Sequence, residues 1–322
     1  MTVLTTAFIA SPRCGLHNMG GGHPEQPARL GAIASALRAR GLWGQLCHCE
    51  APEASREQLV RVHDSRYIDE IECVAPADGL VYLDGDTAMN SYSLTAARCA
   101  AGAVVLATDL VLSGQAHNAF CSVRPPGHHA GHNKAMGFCI FNNIAVGVAH
   151  ALDYHRLERV AVVDFDVHHG NGTEDIFRDR DAVLFCSTFQ HPCYPYSDAQ
   201  SPAGHIVKVP LASGTGGDGF RAGVADAVLP ALRAFRPEMV FFSAGFDAHR
   251  ADPLADLHLS DDDYAWVTRA VMEATSPWSR GRVVSALEGG YDLRALGSAA
   301  TAHIGVLLEA CAGLAAEPVT TT

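Results

Sequence analysis

Four short stretches of the chain carry side chains able to do chemistry. In VDFDVHHGNGT (163–173), Asp164, Asp166 and His168 stand at every second position. Side chains at i, i+2 and i+4 of a strand share one face, and carboxylates are almost never fully buried unless paired or bound to a metal. A single aspartate there would read as a solvated strand end. The alternation of two acids and an imidazole after an apolar run points instead to a metal or catalytic site. The stretch RPPGHHA (124–130) sets His128 and His129 side by side after a Pro-Pro-Gly bend. Adjacent residues cannot share a helix face, but an irregular loop can aim both rings inward. SAGFDAHRADPL (243–254) presents Asp247 after an apolar run and a glycine, and LEGGY (287–291) ends another run with Gly-Gly and Tyr291. Each has a plain reading alone: a lone aspartate caps a helix, and most of the 17 histidines must be bystanders, His48, His63, His150, His155 and His303 among them. Together they supply complementary chemistry, and all four follow predicted strands.

Those strands are short apolar, β-branched runs: 4–10, 119–123, 160–163, 183–187, 239–243 and 283–287. Amphipathic segments at 27–40, 94–112, 144–155, 220–235, 261–274 and 295–308 alternate with them and read as helices, with caps offered by Asn142-Asn143 and Ser260-Asp261. Repeated β-then-α order predicts an α/β fold, a mostly parallel sheet flanked by helices. Ligands bind at the carboxyl edge of such sheets, where all four stretches would meet. With no repeat, low-complexity tract or linker-like shift, one domain over 1–314 and a flexible tail over 315–322 are expected.

The 322 residues, 48% hydrophobic, are enough for a large core. A formal net charge of -12, from 23 basic and 35 acidic residues, argues against nucleic-acid binding, which needs a basic footprint. Ten cysteines without a C-x-x-C pair suggest free thiols in a reducing cytoplasm. The amino terminus reads as a first strand more than a signal peptide. No apolar run is expected to be long enough to span a membrane. Assembly is left open, homo-oligomers included.

The stretches above, with HPEQPARL (23–30) and GFCIFNN (137–143), resemble the motifs of the histone deacetylase superfamily, in order from about residue 17 to about residue 308. The resemblance implies a single-domain arginase-deacetylase fold and a zinc-dependent amidohydrolase. It looks closest to the class II branch, partly because Asn171 stands where class I usually has Asp. By position it implies zinc ligands Asp166, His168 and Asp247, a general base and acid in His129, and a water-binding partner in His128. Tyr291 resembles the tyrosine that donates to the scissile carbonyl. Asp164 and Asn171 would orient His128 and His129, while His169 reads as structural. A potassium site is implied at Asp164, the backbone oxygens of Asp166 and His168, the Ser187 hydroxyl and the Thr188 carbonyl. Gly137, Phe138 and Tyr194 look like the walls of an acyl-lysine tunnel, Asp86 a rim acid and Arg29 an inner-pocket arginine. The plain readings of the last two are a loop acid and a helix-surface arginine. Leu254 stands at a gatekeeper position where polyamine-selective relatives carry Glu.

The substrate is therefore an acylated lysine or another acetylated amine, with an acetylpolyamine amidohydrolase as the alternative. A non-catalytic acyl-lysine reader is disfavoured by the intact set. An arginase-like dimanganese hydrolase would need second-metal carboxylates that are not evident.

Overall fold

The structure, a computed structural model, describes residues 5–316, with side chains through Cys311. Its main sheet has eight strands in the order β2-β1-β5-β10-β9-β6-β7-β8. These are β1 (Thr6–Ala10), β2 (Cys47–Glu50), β5 (Asn118–Ser122), β6 (Val160–Asp164), β7 (Val183–Gln190), β8 (Ile206–Leu211), β9 (Met239–Ala244) and β10 (Val283–Leu287). Two-residue strands β3 (Val81–Tyr82) and β4 (Ala88–Met89) pair separately as an antiparallel ribbon. Every pairing in the main sheet is parallel. The apolar runs form the inner strands because helices cover both faces; β5, β6, β9 and β10 are buried throughout.

Among the described residues, ten α-helices surround the sheet: α1 (Ala28–Ala39), α2 (Arg56–Leu59), α3 (Ser65–Val74), α4 (Ser93–Leu112), α5 (Asn143–Asp153), α6 (Asn171–Phe177), α7 (Gly217–Gly223), α8 (Leu229–Phe235), α9 (Asp261–Ser279) and α10 (Leu293–Ala316). One apolar cluster joins α3, α4 and α5 to one sheet face, and a second joins α1 and α7 to α10 to the other. Asn142 caps α5 by accepting from Ala145 N, and Ser260 closes a capping box with Asp263 at α9. A buried strand residue such as Phe241, at 0% exposure, would cost about 3–5 kcal/mol on truncation to alanine.

The structure describes α10 as far as Ala316, whereas residue 314 is the expected end of the domain. The remainder of the expected tail, 317–322, lies outside the described residues. One apolar run does reach membrane-spanning length: α4 has 20 residues at mean hydropathy 1.5, with 67% of its most apolar window buried inside the fold, where it packs against α5. The helix expected over 220–235 is α7 and α8 joined by a π-helical turn at Val224–Val228. Pro230 lies just beyond and has no N–H to continue an i→i−4 ladder.

Candidate active site

β5, β10, β9 and β6 are consecutive neighbours in the sheet, so residues following their carboxyl ends meet at one edge. His128 and His129 follow β5, Tyr291 follows β10, Asp247 follows β9, and Asp166 and His168 follow β6. Asp164, the last residue of β6, pairs with Ser187 of β7 and Ser243 of β9.

Asp166, His168 and Asp247 are buried, and each offers a ligand atom within 4.8 Å of the others. Backbone amides hold both carboxylates. Asp166 Oδ2 accepts from Gly289 N at 2.8 Å, Asp166 Oδ1 from His168 N at 2.9 Å, and Asp247 Oδ1 from Val167 N at 2.9 Å. Gly289 must be glycine: a Cβ there would stand 2.0 Å from Asp247 Oδ2 and 2.6 Å from Asp166 Oδ2. His168 Nδ1 faces two carboxylate oxygens, Asp166 Oδ1 at 3.1 Å and Asp247 Oδ2 at 3.2 Å. One ring nitrogen can donate only one hydrogen, and Asp247 Oδ2 has no hydrogen-bond partner although it is buried. Such an orphan is costly. A cation bound by the Nδ1 lone pair and the two carboxylates satisfies all three, and one imidazole with two carboxylates suits zinc while leaving further positions open.

The two loop histidines have different partners. His128 Nδ1 lies 2.9 Å from Asp164 Oδ2, and His129 Nδ1 lies 2.7 Å from Asn171 Oδ1 at the start of α6. Their rings are 4.0 Å apart. Burial opposes a charge on His128, but Asp166 and Asp164 outweigh it and push its pKa up to about 10. Burial, then the neighbouring His128 and His168, hold His129 well below the ordinary histidine value. His129 is therefore the neutral ring, able to take a proton. With Nδ1–H turned to Asn171, its Nε2 lone pair is free. Burial, then Asp247, keep the Tyr291 hydroxyl protonated by raising its pKa far above the usual range.

A cavity of about 140 Å³ leads to these groups, lined by Asp86, His129, Gly137, Phe138, His168, Tyr194, Leu254 and Tyr291. Tyr194 packs edge-on against His129 at 5.2 Å, and Phe138 against Tyr291 at 5.9 Å. Gly137 and Phe138 both have positive φ, 57° and 69°. For Phe138 this is a strained conformation costing on the order of 1–3 kcal/mol. It is held by its N–H donating to Thr87 Oγ1 at 2.9 Å, while Gly137 N donates to Asp86 Oδ1 at 3.2 Å. Asp86 thus buttresses a wall of the cavity as well as lining it.

Arg29 is fully buried, not a helix-surface arginine. Its Nε donates to Gly290 O at 2.7 Å, Nη2 to Glu288 O at 2.5 Å and Nη1 to Glu25 at 3.1 Å, and its guanidinium lies 5.0 Å from the Tyr291 ring centre. His169 bridges Glu174 (Nε2, 2.6 Å) and Ser187 Oγ (Nδ1, 3.0 Å), while Thr188 Oγ1 donates to Asp164 O at 3.4 Å.

Three acids that the sequence reading passed over shape the site through backbone or buried partners. Glu288 accepts from Gly127 N and His128 N at 2.6 and 3.1 Å, fixing the histidine loop. Asp252 accepts from Tyr291 N at 2.6 Å. Glu25 is locked between Arg124, Arg29 and His17. All three lie inside the quoted motifs, but these partners lie far off in sequence: 99 positions for Glu25–Arg124, 161 for Glu288–Gly127 and 39 for Asp252–Tyr291.

An acid–imidazole–acid trio at the carboxyl edge of a parallel sheet, faced by a neutral histidine and a protonated tyrosine at the end of a narrow cavity, suits metal-assisted hydrolysis. Comparison with known proteins agrees. The histidine-to-tyrosine span falls within a match to the histone deacetylase domain over residues 23–307. A histone deacetylase-like amidohydrolase of Pseudomonas aeruginosa is 42% identical over 277 residues, covering 84% of this chain and 73% of that one. The polyamine deacetylase HDAC10 of Mus musculus is 35% identical over 307 residues, covering 88% of this chain and 45% of that one. The crystal structure of the HDA15 HD domain matches at TM-score 0.89 and 36% identity, over 95% of this chain and 90% of that one. The chain belongs to the histone deacetylase family, a family of deacetylases and amidohydrolases.

Proposed function

We propose that this protein is a zinc-dependent deacetylase that hydrolyses acetyl and other short acyl amides of lysine-type amines. The observation that carries the reading is the buried, unpartnered Asp247 Oδ2 beside His168 Nδ1, at the end of a cavity that also reaches His129 and Tyr291. Asp166, His168 and Asp247 would hold one zinc. When bound, it supplies a Lewis acid that polarises the amide carbonyl and eases deprotonation of a water.

The chain's own residues do the rest. Phe138 and Tyr194 flank an extended acyl-lysine stem, whose methylenes suit aromatic walls. Neutral His129 takes a proton from the attacking water at Nε2 and returns it to the leaving amine, with Asn171 fixing its tautomer. His128, held by Asp164, hydrogen-bonds the same water. Tyr291 donates its hydroxyl to the carbonyl oxygen as negative charge grows there. Two anionic ligands formally cancel a dication, which weakens its pull on the carbonyl and makes the Tyr291 bond more important. Asp164, Ser187 and Thr188, brought together by the β6–β7 pairing, are the proposed potassium site. Ten unpaired cysteines favour a reducing compartment, the cytoplasm.

The likeness to a polyamine deacetylase favours a second reading, with a small cationic substrate. Such selectivity needs an acid near the mouth to meet a distal ammonium. Leu254 lines the cavity there instead, and Asp86 is engaged with Gly137 and Thr87. Acetyl-lysine is therefore the preferred substrate. The test is kcat/KM for an acetyl-lysine peptide and for N8-acetylspermidine in one buffer, with zinc content measured alongside. Equal or better turnover of the peptide is expected. A strong polyamine preference would transfer the assignment to the second reading, and Leu254→Glu should shift selectivity toward polyamine.

A further inference from the structure

One peptide bond beside the cavity is held at both ends by buried polar side chains. The carbonyl of Gly290 accepts from Arg29 Nε at 2.7 Å, and the N–H of the same peptide, that of Tyr291, donates to Asp252 Oδ2 at 2.6 Å. Arg29 is fully buried and Asp252 is 8% exposed. A cation at the oxygen and a carboxylate at the N–H both run with the peptide dipole, so each bond strengthens the other. Gly290 has φ 120°, which only glycine adopts freely, and this turn swings the chain out of β10 to present Tyr291.

We propose that Asp252 is a positioning residue: with Arg29 it clamps the Gly290–Tyr291 peptide and so aims the Tyr291 hydroxyl at the reacting carbonyl. The inference rests on the hydrolase reading above and assigns Asp252 a part in it. The same carboxylate reaches further. Oδ2 also accepts from Asp292 N at 3.2 Å, just before α10, and Oδ1 from Leu254 N at 3.1 Å. One side chain therefore anchors the cavity mouth, the tyrosine and the start of a helix. The Arg29 guanidinium and the Phe138 ring also confine the tyrosine ring from its sides, but those ring contacts alone do not fix its root. A phenol hydroxyl lies far from its own Cα, so a small rotation of the peptide plane moves it appreciably. Misplacement by about 1 Å can cost on the order of 100-fold in rate.

The test is a double-mutant cycle. kcat and KM for an acetyl-lysine peptide are measured for the wild type, Asp252→Ala, Tyr291→Phe and the double variant, with zinc content and Tm for each. Asp252→Ala is expected to keep its zinc and lose about 10–100-fold in kcat. In the Tyr291→Phe background the same change should cost less than about twofold, because no hydroxyl remains to be aimed. Asp252→Asn keeps one accepting oxygen and should retain more of kcat than the alanine variant. An equal fold-loss in both backgrounds would overturn the clamp and make Asp252 a general support of the fold; an unchanged kcat in Asp252→Ala would do the same. If the alanine variant fails to fold, the asparagine variant decides by the same criterion. A readout free of turnover separates the clamp from the proposed function: the 19F resonance of 3-fluorotyrosine at position 291, assigned by its loss in Tyr291→Phe. It should shift or broaden in Asp252→Asn. A wild type without amidase activity but with that shift would overturn the functional reading and leave the clamp standing; an unshifted resonance overturns the clamp.

Discussion

The chain brings together two trios of nearly the same composition. One is Asp166, His168 and Asp247; the other is Asp109, His150 and His155, on α4 and around the end of α5. Both hold their ligand atoms within 4.8 Å, so proximity does not distinguish them. Hydrogen bonding does. In the second trio, Asp109 Oδ1 takes bonds from His150 Nε2 at 2.8 Å and His155 Nε2 at 2.6 Å. Arg61 Nη1 lies 2.7 Å from His150 Nδ1. Arginine only donates, so that nitrogen accepts and the ring proton sits on Nε2, pointing at Asp109. The nitrogen a metal would need is occupied, and a metal-bound imidazole wants an acceptor behind it, not an arginine. In the first trio, backbone amides hold the carboxylates from behind, His168 Nδ1 meets two carboxylate oxygens at 3.1 and 3.2 Å and can serve only one of them, and the buried Asp247 Oδ2 is left without a hydrogen-bond partner. A metal site is marked by what its ligands still lack.

The largest effect that tests this contrast is Asp247→Ala. It should abolish both zinc retention and hydrolysis, because it removes a ligand and its charge, whereas Asp109→Ala should leave zinc content and kcat/KM unchanged. Loss of zinc from the Asp109 variant would erase the distinction. Next comes Tyr291→Phe, which should keep its zinc and bind substrate with little change in KM, yet lose on the order of 10²–10³ in kcat. A loss confined to KM would make Tyr291 a wall of the cavity.

The trio at Asp109 should instead report on stability. Asp109→Ala leaves the mostly buried His150 without its acceptor, and a loss of about 1–2 kcal/mol is expected from denaturant unfolding. No change would mean that Arg61 alone satisfies that ring.

Another buried imidazole, His63, sharpens the point by pH. Its Nδ1 is 3.0 Å from Gly131 O and its Nε2 accepts from Asn142 N at 2.9 Å. Burial lowers its pKa to about 4, against about 6.5 in an unfolded chain. Between those values the unfolded chain takes a proton that the folded one refuses. The stability contribution is thus whole above about pH 6.5 and declines as pH falls toward 4, by about 3 kcal/mol in total. His63→Gln should flatten the slope of unfolding free energy against pH in that window, whatever its absolute stability. An unaltered slope would assign the acid sensitivity elsewhere, for instance to His303, lowered by burial to about 3.

Much of the sheet was legible because its inner strands are apolar runs buried on both faces. Val283–Leu287 was read to the residue. The edge strands were not. Cys47–Glu50 is largely exposed and Ile206–Leu211 carries Lys208 and Pro210, so neither shows a continuous apolar pattern. α3 was missed despite a readable signal: Asp64 caps it, and Tyr67, Ile68 and Ile71 recur at helical spacing. At the site, the residues that follow strand ends could be found because a strand fixes where they point. The roles of Asp252, Glu288 and Glu25 could not, because their bonds to Tyr291, Gly127 and Arg124 span 39, 161 and 99 positions, and no local spacing encodes which remote amide or guanidinium a carboxylate will meet.

The central claim is that the orphaned Asp247 oxygen and His168 define the catalytic metal site. The most direct measurement is zinc titration of the chelator-stripped protein, following bound metal and acetyl-lysine peptide hydrolysis together. One equivalent of zinc should bind tightly and restore turnover in step, in the wild type and in Asp109→Ala alike, with neither response in Asp247→Ala. Full zinc binding or full turnover in Asp247→Ala, or activity in the stripped protein before any metal is added, would contradict the account.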